Sequence, residues 1–254
     1  MANKNIGLAL GGGAVLGAAH IGVLKALEEY DYNIKYISGT SIGAFVAALY
    51  AFGLSVSEIE KLALKLRWMD ISELSLSQFG LLSNENLGDI VIENVKGDNI
   101  RDSKIPLAIV ATNITSGEKV LLTEGDIKSA VMASTCLPGV FIPVEIDGAL
   151  LVDGGITENV PVSPLVEMGA ENIIAVDLNS GNKNKRPENI IEVMVNSFDF
   201  LVLNSTKLQT KEAALILKPD LSNFDMVDTR QIQKLIEKGY LETMKSLESI
   251  EDGN

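Results

Sequence analysis

The stretch GTSIGAFVAALYAFG, residues 39–53, places a serine between two glycines and leads directly into an apolar segment. Gly39 and Gly43 flank Ser41 in the pattern of a nucleophile elbow, a sharp turn between a strand and a helix. The predicted helix at residues 42–52 would aim its N-terminal dipole at the serine. The same pattern also fits a serine that only caps this helix. Both interpretations of Ser41 stay open on this stretch alone.

The residues on either side predict alternating strands and helices. Strands separated by helices indicate parallel strands joined by right-handed crossovers, and therefore an α/β fold, a three-layer α/β/α sandwich with a mainly parallel central sheet.

Two further segments lack a clear period. Residues 68–87 are a predicted flap, lid or irregular connection, and residues 181–187 are a predicted polar loop. Strands are predicted at residues 6–10, 35–38, 105–112, 119–123, 144–146, 150–152, 172–177 and 213–217, and helices at 18–30, 42–52, 55–67, 84–95, 126–134, 190–209 and 229–249. We expect one domain over residues 1–254, with its core at 6–217 and a C-terminal helix at 229–249.

A glycine loop follows the first predicted strand. Gly11, Gly12 and Gly13 leave backbone N–H groups free to bind an anion, which can be a phosphate or the oxyanion of an acyl-transfer intermediate. A phosphate-binding P-loop needs Lys and Ser or Thr after its last glycine, and Gly17 is followed by two alanines. The spacing is also one residue too long for a dinucleotide fingerprint. Because ligands sit at the carboxyl ends of parallel strands, we expect this loop and Ser41 at the same edge of the sheet.

Two side chains are candidate proton acceptors for Ser41. His20 is the only histidine, and its place one turn into a helix favours a hydrogen-bonded core residue. Asp153 ends an apolar strand and precedes Gly154 and Gly155, which allow a tight turn and close approach of a substrate. A partly desolvated carboxylate has a raised pKa and is a better base. An ordinary turn aspartate is the alternative.

Composition limits the partners. The 254 residues carry a net charge of -13, which repels nucleic acid and anionic headgroups at long range. Cys136 is the only cysteine, so no intrachain disulfide or cysteine-based zinc site is possible.

Residues 6–27 are nearly uncharged and resemble a signal peptide or membrane span, but the triple glycine interrupts the run. We therefore expect a cytoplasmic protein without metal or cofactor.

Three blocks together resemble the patatin-like phospholipase family: LALGGGAVLGAAHIGVLKALEE from Leu8, ASTCLPGVFIPVEIDG from Ala133 and DGGITENVPV from Asp153, with GTSIG between the first two. The resemblance covers about residues 6–217. It implies a lipid acyl hydrolase with a serine–aspartate dyad, Ser41 and Asp153, and no catalytic histidine. It implies an oxyanion hole from the amides of Gly11, Gly12, Gly13, Ala14 and Ile42. The substrate implied is a lipid or fatty-acyl ester, with transient contact to a membrane surface.

Two positions depart from the family pattern. Many bacterial members have a fourth glycine and then a basic residue where this chain has Ala14 and Leu16. Ala14 can still donate its N–H if its backbone conformation tolerates a Cβ. A non-catalytic lipid- or acyl-binding regulator with a degenerate site is therefore the alternative function, and nucleotide binding by the glycine loop is a third.

Overall fold

The computed structural model of the protein describes residues 4–66, 73–74, 82–179 and 186–252. Most of the predicted flap at residues 68–87, the end of the predicted helix at residue 67 and most of the predicted loop at residues 181–187 lie outside these ranges.

Among the described residues, eight strands agree with the predicted ones to within about two residues at most ends, and two short strands lie in the segment predicted as a flap, lid or irregular connection. They are β1 Asn5–Leu10, β2 Asn33–Thr40, β3 Glu73–Leu74, β4 Leu82–Ser83, β5 Leu107–Asn113, β6 Lys119–Leu122, β7 Val144–Ile146, β8 Ala149–Asp153, β9 Ile173–Val176 and β10 Leu215–Leu217. Within the described ranges, eight of them form one sheet in the order β10-β9-β1-β2-β5-β8-β7, with β6 also paired to β5, while β3 and β4 pair with each other. The five strands from β10 to β5 are parallel, β6 and β8 run antiparallel to β5, and β7 pairs antiparallel with β8. The sheet is therefore mainly parallel.

Helices connect the strands as predicted. They are α1 Ala19–Glu29, α2 Ile42–Ala51, α3 Val56–Lys65, α4 Glu85–Asn94, α5 Ile127–Ser134, α6 Gly155–Glu158, α7 Ser163–Glu167, α8 Ile190–Gln209 and α9 Ile232–Asp252, with 3₁₀ turns at Ala14–Ala18, Ile100–Asp102 and Thr229–Gln231. A capping box formed by Ser55 and Glu58 begins α3. The sequence did not predict α6 and α7, because a helix of one turn is too short to carry a periodic pattern.

Both faces of the sheet are buried, which makes the architecture three-layered. Successive residues of β9 alternate between two hydrophobic clusters: Ile174 and Val176 belong to the larger one, and Ile173 and Ala175 to the smaller one. The larger cluster contains residues of α1, α2, α3, α4, α5 and α9, and the smaller one contains Leu165 of α7.

The C-terminal helix is part of this packing. α9 crosses α1 so closely that a Cβ on Gly239 would overlap the carbonyl of Ala19, and a Cβ on Gly22 would overlap that of Ile236. Only glycine at these two positions lets the helix backbones approach to this distance.

The sheet register brings the predicted site residues together. Leu10, the last residue of β1, lies opposite both Gly39 and Val176. Thr40 pairs with Val110 on β5, and Asp153 pairs with the next residue, Ala111. Ser41 follows Thr40 directly, so strand pairing places Ser41 and Asp153 at the same end of the sheet, on either side of β5, although 112 positions separate them in the chain.

Candidate active site

Ser41 lies in a strained turn between β2 and α2. Its backbone dihedrals are φ 54° and ψ −130°, a region that residues with a Cβ rarely adopt and that costs about 1–3 kcal/mol. Its side chain makes no capping hydrogen bond to α2. The structure therefore does not support the interpretation of Ser41 as a helix cap.

The strained turn is held by a buried hydroxyl that sequence analysis did not select. The N–H of Ser41 donates to Oγ of Ser134 over 2.9 Å, and this hydroxyl donates to the carbonyl of Val110 over 2.7 Å. Ser134 is the last residue of α5 and is fully buried. The only sequence signal was its place in the block that begins at Ala133.

Asp153 is buried and oriented toward Ser41. Oδ1 of Asp153 accepts from the N–H of Gly155 over 2.8 Å. Burial raises the pKa of Asp153 to about 7, and the interactions of the carboxylate with the Ser41 side chain and with the N–H of Gly155 only partly oppose the effect. At neutral pH the group can accept and release a proton easily.

The four glycines around these two residues are required by close packing. A Cβ on Gly39 would lie 2.5 Å from Cα of Ala44, and one on Gly43 would overlap the carbonyl of Leu10. Gly154 packs in the same way on the carbonyl of Val110. A Cβ on Gly155 would lie 2.9 Å from the ring of Phe198. Both turns can therefore sit directly on neighbouring strands.

His20 is a core residue, as its position in the helix predicts. Its Nε2 lies 2.7 Å from the carbonyl oxygen of Gly11, and the side chain is fully buried. Burial lowers the pKa of His20 to about 4, so the ring is neutral and Nε2 is the donor. The ring supports the glycine loop through Gly11.

Two amides of the glycine loop already have backbone acceptors. The N–H of Gly11 donates to the carbonyl of Val176 over 3.1 Å, and that of Gly12 to the carbonyl of Asn159 over 3.2 Å. Their assignment as oxyanion donors stays a prediction, and it requires these bonds to open.

Three predicted donors remain, the amides of Gly13, Ala14 and Ile42, for which no acceptor is found in the described part of the chain. Ala14 has φ 49°, so it adopts the left-handed conformation despite its Cβ.

The turn after Asp153 is tied to its surroundings at several points. Oε1 of Gln209, at the end of α8, accepts from the N–H of Asn159 over 3.0 Å, and its Nε2 donates to the carbonyl of Thr157 over 3.2 Å. The hydroxyl of Thr40 donates to the carbonyl of Glu158 over 2.8 Å. These hydrogen bonds fix the segment that contains Asn159, whose carbonyl accepts the hydrogen bond from the N–H of Gly12. No sequence signal pointed to Gln209.

Ser41 and Asp153 line an apolar cavity that is open to solvent. The lining residues fall into two groups, which we call the first and the second wall. The first wall comes from the 3₁₀ turn at Ala14–Ala18, from α1, α2 and α3 and from the start of α9, and the second comes from α8 and the segment after α5. Apolar lining residues on the first wall include Ile21, Phe45, Val46, Ile59, Ala63 and Ile232, and on the second Leu137, Phe141, Val195, Phe198 and Val202. Ile42, Phe45 and Val46 of α2 therefore contribute to the cavity that contains Ser41.

Comparison with known proteins identifies the family. A family model described as patatin-like phospholipase matches residues 8–166, which is more than half of the chain. The chain belongs to the patatin-like phospholipase family. The matched residues include the glycine loop, Ser41 and Asp153.

Curated relatives place the chain near NTE family proteins. An uncharacterized NTE family protein of Mycobacterium tuberculosis is 39% identical over 180 residues, which cover 70% of this patatin-like chain and 50% of that protein. The lysophospholipase NTE1 of Mycosarcoma maydis is 34% identical over 188 residues, which cover 71% of the chain and 10% of that protein. The chain thus spans about half the length of the mycobacterial relatives and a tenth of the fungal one.

Solved structures share the patatin-like fold at low sequence identity. VipD from Legionella pneumophila superposes with a TM-score of 0.59 at 16% identity, over 97% of this chain and 67% of that chain. The ExoU–SpcU complex of Pseudomonas aeruginosa superposes with a TM-score of 0.52 at 19% identity, over 97% of this chain and 52% of that chain. Within its described helices, the chain has none that is long and apolar enough to cross a bilayer.

Proposed function

We propose that this chain hydrolyses fatty-acyl esters of lipids, with Ser41 as the nucleophile and Asp153 as the general base. The observation that carries the proposal is that these two side chains interact and both line the same apolar cavity. Membership of the patatin-like phospholipase family supports the reaction class.

In the first half-reaction, Oγ of Ser41 attacks the ester carbonyl carbon while its proton moves to the Asp153 carboxylate. The bond between the carbonyl carbon and the leaving oxygen then breaks, and the leaving alcohol takes the proton from Asp153. The acyl group stays bound to Ser41 as an ester. A base with a pKa of about 7 suits both the uptake and the return of the proton near neutral pH.

In the second half-reaction, water attacks the acyl-enzyme and gives its proton to Asp153. The fatty acid leaves, and Ser41 regains its proton from Asp153. One ester and one water become one acid and one alcohol, and the dyad returns to its starting state.

The negative charge on the carbonyl oxygen needs donors, and we assign them to the N–H groups of Gly13, Ala14 and Ile42. These amides have no acceptor in the described part of the chain and belong to segments that line the cavity. One oxyanion donor typically contributes about 3 kcal/mol to lowering the barrier. The hydrogen bond from His20 to Gly11 keeps the loop in place.

The cavity supports a long apolar acyl group as the part of the substrate that is recognised. Its walls are formed mainly by aliphatic and aromatic side chains, and a pocket of this kind binds by removing apolar surface from water. A phospholipid, a lysophospholipid and a glyceride all provide such a chain. The name of the Mycosarcoma maydis relative favours a lysophospholipid.

The test is hydrolysis of p-nitrophenyl acyl esters by the purified protein, by Ser41→Ala and by Asp153→Asn. We expect both variants to lose at least about 10³-fold in kcat/KM while the melting temperature stays at or above the wild-type value. Activity of both variants at the wild-type level would refute the proposal. Lipid binding without hydrolysis by the wild type would indicate the non-catalytic regulator instead.

A further inference from the structure

The long helix α8 exposes an apolar stripe to solvent. Ile190, Val193, Phe200 and Leu201 are 62%, 43%, 55% and 69% exposed. At 100° per residue these four positions fall within an arc of about 100° on one side of the helix. Ser197 lies in the same arc, and its hydroxyl donates to the carbonyl of Val193, so it presents no free donor.

The opposite side of α8 forms a wall of the cavity that contains Ser41. Val195, Phe198 and Val202 line this cavity, and Val195 and Val202 are buried. A single helix therefore separates the exposed stripe from the proposed acyl site. α8 also packs against α6, whose Ile156 is a further exposed apolar residue.

Charge narrows the kind of surface that the stripe fits. Along the stripe, from residue 190 to 201, the charged residues are Glu192 and Asp199. The Glu192 carboxylate accepts from the N–H of Glu188 and from the Asn189 side chain, and Asp199 is buried. The four stripe side chains themselves offer no charge for a charged partner to pair with. The chain as a whole carries -13, which disfavours approach to an anionic bilayer.

We propose that the stripe of Ile190, Val193, Phe200 and Leu201 docks α8 onto a zwitterionic lipid surface, with the opposite face of the helix toward the acyl cavity. This inference rests on the proposed lipid hydrolysis, because a lipid substrate would enter the cavity from such a surface. α8 then lies in the interface plane with its apolar side in the acyl boundary, as amphipathic interfacial helices do.

The experiment measures flotation with phosphatidylcholine vesicles. The inactive Ser41→Ala protein is used so that the vesicles stay intact, and it is compared with the same protein carrying Phe200→Ser and Leu201→Ser. We expect the pair of changes to lower the partition coefficient about tenfold or more, because two exposed apolar side chains no longer leave water. Leu241→Ser on α9, where Leu241 is 53% exposed, is the matched control and should float like its parent.

The same pair of changes in the active protein should leave hydrolysis of a soluble short-chain ester within about twofold of wild type. Vesicle binding unchanged by the pair, an equal loss with Leu241→Ser, or preferential binding to phosphatidylglycerol vesicles would overturn the docking assignment. The assignment would also fall if the parent protein bound no vesicles but formed a dimer, and the Phe200→Ser and Leu201→Ser changes abolished that dimer. An absence of ester hydrolysis by wild type, with vesicle binding intact, would refute the proposed function and leave the docking surface standing.

Discussion

The backbone N–H of Ser41 donates a hydrogen bond of 2.9 Å to Oγ of Ser134, which donates one of 2.7 Å to the carbonyl of Val110. One buried hydroxyl therefore joins the strained turn of the proposed nucleophile to the central strand that also pairs with Asp153. It positions Ser41 relative to its base without touching the substrate.

Replacing Ser134 by alanine should weaken both the fold and the reaction. The change leaves the Val110 carbonyl and the Ser41 N–H without their partner, which costs about 1–3 kcal/mol for buried groups. We expect a lower free energy of unfolding and a kcat reduced about tenfold, with KM for a short ester little changed. Ser129→Ala, on the same helix, is the control. A Ser134→Ala enzyme with wild-type kcat would show that the turn does not need this bond.

Asp153→Asn should stabilise the protein more as the pH rises. With a pKa of about 7 when folded and 3.8 when unfolded, Asp153 binds a proton more tightly in the folded state. Its contribution to stability is thus fully present below pH 3.8 and is lost as the pH rises through about 7. Asparagine carries no charge, so the gap in unfolding free energy between variant and wild type should widen, by at most about 4 kcal/mol.

Urea unfolding at pH 5, 6, 7 and 8 measures this gap. Asp147→Asn, in the exposed turn between β7 and β8, is the control, and its gap should stay nearly constant across the same range. A gap for Asp153→Asn that narrows with rising pH would mean that the buried carboxylate is stabilised as an anion.

His20→Gln should keep most of the activity. The glutamine amide can still donate a hydrogen bond to the Gly11 carbonyl. With a pKa of about 4, the His20 ring is also too weak a base to take the proton of Ser41. We expect kcat/KM within about tenfold of wild type and an unchanged pH profile. His20→Ala should unfold more easily, because the Gly11 carbonyl loses its donor. Loss of activity in a well-folded His20→Gln protein would point to the histidine as the base.

Gly43→Ala should destabilise the protein although alanine is the better helix former. The added Cβ would overlap the carbonyl of Leu10, and overpacking against backbone costs about 1–3 kcal/mol. Gly88→Ala on α4 is the matched control, since its neighbours are the flexible side chains of Lys128 and Met132. Thermal unfolding of the two variants should separate them by several degrees, and equal melting temperatures would contradict the close contact.

Local sequence predicted most of the elements because each carries its own signal. Gly39, Ser41 and Gly43 indicate the elbow, and the turn at Asp147 and Gly148, which both have positive φ, indicates the β7–β8 hairpin. The one-turn helices α6 and α7 carry no such signal and were missed.

The site depended on contacts between distant segments. The proximity of Ser41 and Asp153 follows from the pairing of Thr40 and Asp153 with adjacent positions of β5, and the sequence indicated it only through a family resemblance. The acceptors of the Gly11 and Gly12 amides come from β9 and from Asn159, so these hydrogen bonds could not be predicted locally. Ser134 was missed for the same reason.

If Asp153 activates Ser41 as we propose, the rate of covalent labelling by a fluorophosphonate measures this activation directly. The rate constant for wild type should rise with pH as one group with a pKa of about 7 loses its proton, and mass spectrometry should find the adduct on Ser41. Asp153→Asn should label at least about 10²-fold more slowly at pH 8, with no such rise. Labelling of Asp153→Asn at the wild-type rate, or an adduct on another residue, would contradict the account.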